Sequence, residues 1–221
     1  MLKTTNVPGR LYRLCSNVFY YFIAAPIIFL ITRLFMGVRV RGKIKREIKR
    51  QSAVIVCNHV HMLDSALAAL TIFPRRPLIP ALPKNVDTIF PGFLVRLLGG
   101  VSIPRDLSEV KPFFDDMARF IKDGRIIIFF PEGELSPYDN GLRNFRKGAF
   151  RLAARTRVSL IPIAISFRPP KGIGRLFRRK PVMLVNIGEA IAASAVDEKE
   201  DAYIRMEAVR AQMNEMIKRS S

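Results

Sequence analysis

Both histidines of this 221-residue chain lie in one short segment that also contains a carboxylate. His59 comes just after the apolar run 53–57, and Asp64 follows five residues later. Valine and isoleucine in that run favour a buried strand, and open α/β sheets bind ligands beyond the carboxyl ends of their strands. A histidine oriented by a carboxylate can take a proton from an alcohol near neutral pH. The spacing therefore predicts an acid–base pair at the end of a strand.

The elements that would position this pair alternate along the chain between strands and helices. Apolar runs predict strands at 53–57, 77–82, 101–103, 126–130, 158–167 and 182–187. Apolar residues at helical spacing predict helices at 63–73, 88–98, 108–124, 147–156 and 199–218. This alternation indicates an α/β fold, which we expect to contain a mixed, mostly parallel sheet flanked by helices.

Further segments bring polar or glycine residues to the ends of predicted strands, where they would meet His59 at one edge of the sheet. Arg105 follows a short predicted strand and could present a planar fork of donors to a phosphate. Glu132 and Gly133 form an abrupt turn after the strand at 126–130. Gly133 would let a ligand approach the backbone closely, and Glu132 is a candidate to bind or orient hydroxyl groups.

These segments, in this order, resemble the glycerolipid acyltransferases, most closely the bacterial 1-acylglycerol-3-phosphate (lysophosphatidic acid) acyltransferases. The first motif of that family, Asn-His-x-Ser-x-x-Asp, is matched by Asn58, His59 and Asp64. The second motif ends in an arginine, matched by Arg105. The third, Phe-Pro-Glu-Gly-Thr-Arg-Ser, is matched at 130–133 and 136. A downstream Phe-Lys-Lys-Gly-Ala pattern and a hydrophobic Pro step fall at 145–149 and 161–163, so the resemblance spans roughly residues 40–190.

The resemblance implies an enzyme that moves a fatty acyl group from a thioester to the sn-2 hydroxyl of 1-acylglycerol-3-phosphate, giving phosphatidic acid in phospholipid biosynthesis. His59 would remove the hydroxyl proton, and Asp64 would orient the imidazole. The donor would be acyl-coenzyme A or an acylated acyl carrier protein, and no metal or other cofactor is implied. Arg105 would hold the acceptor phosphate. The remaining residues of the implied acceptor site are Lys84, Asn58, Glu132 and Gly133.

Two departures from the family pattern leave the acceptor open. His61 stands where the family has serine, and Glu134 and Leu135 replace the Thr-Arg of the third motif. Neither change touches His59 or Asp64. The alternative is therefore an acyltransferase of the same family with another lysophospholipid or a lyso-aminolipid as its acceptor.

The net charge of +19 indicates an anionic partner, which could be nucleic acid, anionic lipid or a phosphorylated substrate. Basic residues cluster at 39–50, 143–157 and 168–180. Single-stranded nucleic-acid sites interleave such residues with base-stacking aromatics, whereas the phenylalanines of the second and third clusters are better explained by packing. We therefore expect an anionic membrane surface and no nucleic acid.

The amino-terminal segment is the most hydrophobic part of the chain, with no charge from residue 14 to residue 32. Pro26 predicts a break into two helices, at about 9–25 and 26–36, which would form a hairpin at the membrane surface. Residues 1–38 would be the membrane-associating part and 39–221 the catalytic domain. The basic residues that follow favour the cytoplasmic face of the cell membrane. A cleaved signal peptide and a buried soluble hairpin are the alternatives.

The sequence around His59 also allows two other interpretations, a metal site and a cysteine nucleophile. His59 and His61 with Asp64 resemble a two-histidine metal site, but the chain has no third histidine, and a zinc site completed by carboxylates or Cys57 would be unusual. Cys57 could also be a nucleophile beside His59. Its place at the end of an apolar run favours a core residue instead.

Overall fold

A computed structural model describes residues 10–89, 92–169 and 181–220. The predicted basic cluster at 168–180 therefore lies almost wholly outside the described residues. A long amino-terminal helix, α1 (10–35), precedes the other elements. The strands are β1 (Arg39–Arg41), β2 (Ala53–Cys57), β3 (Ile79–Ala81), β4 (Gly100–Ser102), β5 (Ile126–Phe129), β6 (Ser159–Arg168) and β7 (Val182–Ile187). The remaining helices are α2 (Arg46–Arg50), α3 (Asp64–Thr71), α4 (Pro83–Val86), α5 (Gly92–Leu97), α6 (Leu107–Lys122), α7 (Gly148–Thr156) and α8 (Glu198–Lys218).

The main sheet has the strand order β1-β7-β6-β2-β5. Only the β6–β7 pair is antiparallel, so the predicted mixed, mostly parallel sheet is confirmed. Strands β3 and β4 pair in parallel as a second, two-stranded sheet beside the free edge of β5. Leu78 joins the two sheets, because its N–H donates to Ile126 O at 2.9 Å and its carbonyl accepts from Ile128 N at 2.9 Å.

Strand β2 lies in the centre of the core, and all five of its residues are fully buried. Its side chains alternate between the two faces of the sheet, as the pleat requires. Ile55 packs in the cluster that contains Leu67 of α3. Val54 packs in the opposite cluster, together with Met117 of α6 and Phe150 of α7. Helices on both faces bury the central strands completely, which explains why these read as uninterrupted apolar runs.

Helix α1 is continuous, so the predicted hairpin with a break at Pro26 is wrong. The segment Phe19–Ala24 is π-helical, and Ala25 N–H bonds to the carbonyl of Tyr20, five residues back. Pro26 consequently falls in the first turn of the next α-helical segment, Ala25–Leu30. A proline is tolerated there, because its missing N–H and its ring do not interrupt the preceding hydrogen bonds.

Helix α1 contains one stretch, Leu14–Leu34, that is long and apolar enough to cross a membrane by length and composition, with 21 residues and a mean hydropathy of 2.0. A few polar contacts attach the helix to the domain. Ser16 Oγ donates to Leu97 O at 3.1 Å, and Arg76 donates to Asn17 Oδ1 at 3.0 Å. The large apolar side chains that α1 exposes are Leu11, Leu14, Val18, Phe22, Ile23, Ile27, Phe29, Leu30, Ile31 and Leu34. The division of the chain into residues 1–38 and 39–221 stays a prediction.

Candidate active site

The structure brings His59 and Asp64 into direct contact, with Nδ1 and Oδ2 3.1 Å apart. Asp64 is the fully buried first residue of α3, and the same oxygen accepts the backbone N–H groups of Val60 at 2.6 Å and His61 at 2.7 Å. An oxygen that accepts three hydrogen bonds makes Nδ1 of the imidazole a donor, so Nε2 keeps its lone pair. The His59 side chain is 25% exposed. Its unprotonated nitrogen can therefore meet a substrate.

Asn58 attaches the segment that carries this pair to strand β6. Its side chain is fully buried, its Nδ2 donates to Ile165 O at 2.8 Å, and its Oδ1 accepts from Ile165 N at 2.7 Å. The last paired residues of β2 and β6 are Cys57 and Ile163, so the Asn58 amide extends the ladder by one step. Each amide atom of Asn58 thus makes one hydrogen bond within the core, and the predicted contact of Asn58 with substrate stays a prediction.

The loop after β5 is joined to the loop after β2. Ser136 N–H donates to His59 O at 2.8 Å, and Tyr138 N–H donates to Val60 O at 2.9 Å. The ring of Phe130 lies against the His59 ring, with centroids 4.6 Å apart. These contacts hold the turn at 131–134 beside the imidazole, as expected for the carboxyl ends of neighbouring parallel strands.

Glu132 is buried in this turn, 6% exposed, and neither carboxylate oxygen accepts a well-formed hydrogen bond from a described residue. Burial raises the pKa of Glu132 to about 7, against the opposing effects of the nearby Arg143 and His59. Gly133 adopts a φ of 77°, and a Cβ there would lie 2.5 Å from Nε of Arg146. The turn therefore holds a carboxyl group with free hydrogen-bonding capacity next to a backbone conformation that favours glycine.

Lys84 and Arg105 lie at the same edge of the sheet, further from His59. Lys84 is in α4, directly after β3, and Arg105 follows β4. Both side chains are exposed and form no hydrogen bond or ion pair with any described residue. Strand β4 is three strands away from β2, which corresponds to about 14 Å across a sheet. The predicted roles of Lys84 and Arg105 in binding the acceptor stay predictions.

The alternative roles of Cys57 and His61 find no support in the geometry. Cys57 is fully buried, and burial together with the charges of Asp64 and Glu132 raises the pKa of its thiol well above the usual value. A thiolate is therefore disfavoured there. His61 accepts the Leu63 N–H at Nδ1, at 3.2 Å. Within residues 10–89, 92–169 and 181–220, no three His, Cys, Asp or Glu side chains converge in a way that could hold a metal ion.

Arg143 and Arg146 lie near the site, although the sequence assigned neither of them a role there. Arg143 Nη1 lies 3.5 Å from Glu134 Oε2, and the Arg146 guanidinium rests against Gly133. From the sequence both belonged to a basic cluster, and Arg146 also matched a lysine of the Phe-Lys-Lys-Gly-Ala pattern. That match was the available signal, since charge alone does not distinguish these two arginines from their neighbours.

Comparison with known proteins finds acyltransferases of similar sequence. The chain is 27% identical over 170 residues to human 1-acyl-sn-glycerol-3-phosphate acyltransferase beta, covering 74% of this chain and 60% of that protein. It is 28% identical over 152 residues to the chloroplastic 1-acyl-sn-glycerol-3-phosphate acyltransferase LPAT1 of Arabidopsis thaliana, covering 66% and 41%. The chain thus spans about half the length of these curated relatives.

A solved structure shows the same fold. The 1-acyl-sn-glycerophosphate (LPA) acyltransferase PlsC of Thermotoga maritima superposes with a TM-score of 0.60, at 18% identity, over 94% of this chain and 92% of PlsC. The Acyltransferase family model matches residues 37–166, which is more than half of the chain and includes the whole segment from β1 to most of β6. The chain therefore belongs to the Acyltransferase family.

Proposed function

We propose that this protein transfers a fatty acyl group from an acyl thioester to the sn-2 hydroxyl of 1-acylglycerol-3-phosphate, producing phosphatidic acid for phospholipid biosynthesis. The observation that carries the proposal is the contact of His59 Nδ1 with the buried carboxylate of Asp64, which leaves Nε2 available beside an exposed edge of the sheet. The names of the curated relatives support the choice of acceptor.

In the proposed reaction, Nε2 of His59 takes the proton from the acceptor hydroxyl while its oxygen attacks the thioester carbonyl carbon. Asp64 stabilises the imidazolium that forms. Collapse of the tetrahedral intermediate breaks the carbon–sulfur bond, and the imidazolium returns its proton to the leaving thiolate. The products are an ester and a free thiol of coenzyme A or acyl carrier protein. This sequence requires no acyl-enzyme, no metal and no further cofactor, which is consistent with the burial of Cys57.

The acceptor would lie along the edge formed by the ends of β2, β5, β3 and β4. Glu132 would hydrogen-bond a glycerol or ester oxygen, because its carboxyl group is buried without a partner among the described residues. The positive φ of Gly133 would let the backbone approach the glycerol closely. Arg105 and Lys84 would contact phosphate from the β4 and β3 side.

We also propose that the enzyme works on the membrane surface, at the cytoplasmic face. The exposed apolar side chains of α1 would enter the bilayer, and the basic residues at 39–50 would face anionic headgroups. The positive-inside bias favours the cytoplasmic side for such a basic segment. This placement would bring the catalytic edge to a lipid acceptor and assigns the net charge of +19 to a membrane, with no role for nucleic acid.

An acceptor panel tests the proposal. The purified full chain would receive one labelled acyl thioester and a series of lysophospholipids and lyso-aminolipids, with products identified by lipid mass spectrometry. We expect 1-acylglycerol-3-phosphate to be preferred, and His59→Ala to lower turnover by about 10²–10⁴-fold while the thermal unfolding midpoint stays unchanged. The matched control, His61→Ser, should keep its activity.

The two parts of the proposal can fail separately. Preferred transfer to another lysophospholipid or to a lyso-aminolipid would replace the acceptor and leave the chemistry in place. Turnover like that of the wild type in His59→Ala would overturn the mechanism.

A further inference from the structure

Two guanidinium groups converge on the turn that follows β5. The backbone N–H of Arg146 donates to Pro131 O at 2.8 Å, and the Arg146 side chain lies so close to Gly133 that a Cβ there would meet Nε at 2.5 Å. Arg143 Nη1 lies 3.5 Å from Glu134 Oε2. Both arginines are exposed, so a soluble or lipid-borne anion can reach them.

The positive charge of this pair is poorly compensated within the described part of the protein. The Arg146 side chain forms no hydrogen bond or ion pair there. Arg143 has one ion-pair partner, Glu134, which is 70% exposed and held at a long distance. Glu132 is buried beside Arg143, and neither of its carboxylate oxygens accepts a well-formed hydrogen bond. A buried carboxyl group with unused hydrogen-bonding capacity next to an exposed cation is the arrangement expected when a ligand completes the polar contacts.

The position of the pair suits a phosphate close to the reacting hydroxyl. In 1-acylglycerol-3-phosphate the sn-2 hydroxyl and the phosphate are carried by neighbouring glycerol carbons, so the phosphate must lie near His59. The turn follows β5, which is adjacent to β2, at about 5 Å across the sheet. Arg105 follows β4, three strands from β2. The arginines at 143 and 146 are therefore the nearer of the two sets of cations.

Resting on the proposed function, we infer that Arg143 and Arg146 add the cations nearest to His59 to the acceptor phosphate site, beside Arg105 and Lys84, and that Glu134 sets the selectivity of this site. The Glu134 carboxylate would compete with a phosphate for Arg143, because its Oε2 lies 3.5 Å from Arg143 Nη1. A phosphomonoester carries a charge of about −1.5 to −2 and displaces a carboxylate with a single charge. A phosphodiester carries one charge, as the carboxylate does, and competes less well. Glu134 therefore favours phosphomonoester acceptors over phosphodiester lysolipids.

The departure from the family pattern supports this role. Positions 134 and 135 hold Glu-Leu where the resemblance has Thr-Arg, so this chain lacks an arginine in the motif and carries an acid beside it. Arg143 reaches the same turn from a later part of the chain and pairs with that acid. Arg143 thus brings a positive charge to the turn in which the family pattern has its arginine, and Glu134 forms an ion pair with it.

Steady-state kinetics in mixed micelles test the inference, with 1-acylglycerol-3-phosphate as the monoester and 1-acylglycerophosphoglycerol as the diester. Arg143→Gln and Arg146→Gln should each raise the KM for the monoester about 10-fold and leave the KM for the thioester unchanged. Glu134→Gln should lower the KM for the diester more than that for the monoester. In the double variant Glu134→Gln/Arg143→Gln the KM for the diester should not fall in this way, because the guanidinium that pairs with Glu134 is absent. Arg155→Gln is the matched charge control, since Arg155 pairs with Asp115 of α6.

Unchanged monoester KM values in both arginine variants would overturn the inference, as would an equal effect of Arg155→Gln. A change confined to the thioester KM would assign the arginines to the phosphates of the donor. If the wild type does not acylate 1-acylglycerol-3-phosphate, the proposed function fails while the site remains testable by calorimetric titration with glycerol 3-phosphate, using glycerol as the control. Binding that weakens in Arg143→Gln would then support the phosphate site, and absence of binding would refute it.

Discussion

Replacement of Asp64 by asparagine tests the acid–base pair with little disturbance of the fold. Oδ2 of Asp64 accepts the N–H groups of Val60 and His61 at 2.6 and 2.7 Å, and an asparagine oxygen can accept both. Those two bonds hold the loop that carries His59. The third bond, to His59 Nδ1 at 3.1 Å, loses its charge in Asp64→Asn. The variant therefore removes the electrostatic partner of the imidazole and keeps the turn.

The size of the effect follows from Coulomb's law. A carboxylate 3.1 Å from an imidazolium nitrogen stabilises it by about 5 kcal/mol at an effective dielectric constant of about 20. Such a loss corresponds to almost 10⁴-fold in rate. The His59 ring is 25% exposed, and solvent screens part of the interaction. We therefore expect kcat to fall about 10³-fold in Asp64→Asn, with the KM values for both substrates little changed.

The assay is steady-state acyl transfer from a labelled thioester, accompanied by thermal unfolding of each variant. A fall in kcat below 10-fold, in a variant whose unfolding midpoint matches that of the wild type, would refute the reasoning. A large fall in the unfolding midpoint would instead show that Asp64 acts mainly through the loop. His59→Ala/Asp64→Asn separates these cases further, because an aspartate that acts through the imidazole has no effect on kcat once His59 is absent.

Further variants examine the other parts of the site and the membrane contact. The pKa of Glu132 is about 7 in the folded protein, against an ordinary value of 4.5. Between these two pH values the folded state therefore binds a proton that the unfolded state has released. The free energy of unfolding should fall by about 1–2 kcal/mol, after solvent screening, as the pH rises from 4.5 to 7. Glu132→Gln should abolish this loss, and parallel urea-unfolding profiles of the two proteins between pH 4.5 and pH 7 would contradict it. Arg105→Ala should raise the KM for the phosphorylated acceptor, with only partial rescue in Arg105→Lys because the bidentate fork is lost; an unchanged KM would remove Arg105 from the site. Deletion of residues 1–38 should release the domain from vesicles, whereas charge reversal at 39–50 should leave a weaker, salt-sensitive attachment; full sedimentation of the deletion variant with vesicles would show that α1 is not the anchor.

The sequence alone determined the type of sheet and the neighbourhood of His59. Strands at 53–57 and 126–129 form because uninterrupted runs of buried β-branched residues have few alternatives in a core. The carboxyl ends of adjacent parallel strands lie at one edge of the sheet, so the pairing of β2 with β5 is enough to predict that the residues following these strands lie close together. The contact of His59 with Asp64 is likewise local, because a tight turn into a helix spans the four residues between them.

Tertiary structure decided the features that depend on partners distant in the chain. Asn58 is anchored in the core because β6 continues past the end of β2 and presents the Ile165 amide and carbonyl to it. Strand β1, the exposed Arg-Val-Arg of a basic segment, exists because β7 offers an unpaired edge. Arg143 and Arg146 reach the turn at 131–134 through a backbone bond between residues 15 apart, and no periodicity encodes that bond. A hydrophobic pattern predicts the structure of one helix or strand at a time. The unpaired edge of β7, the hydrogen bonds of Asn58 and the arginines near the turn depend instead on how the helices and strands pack together.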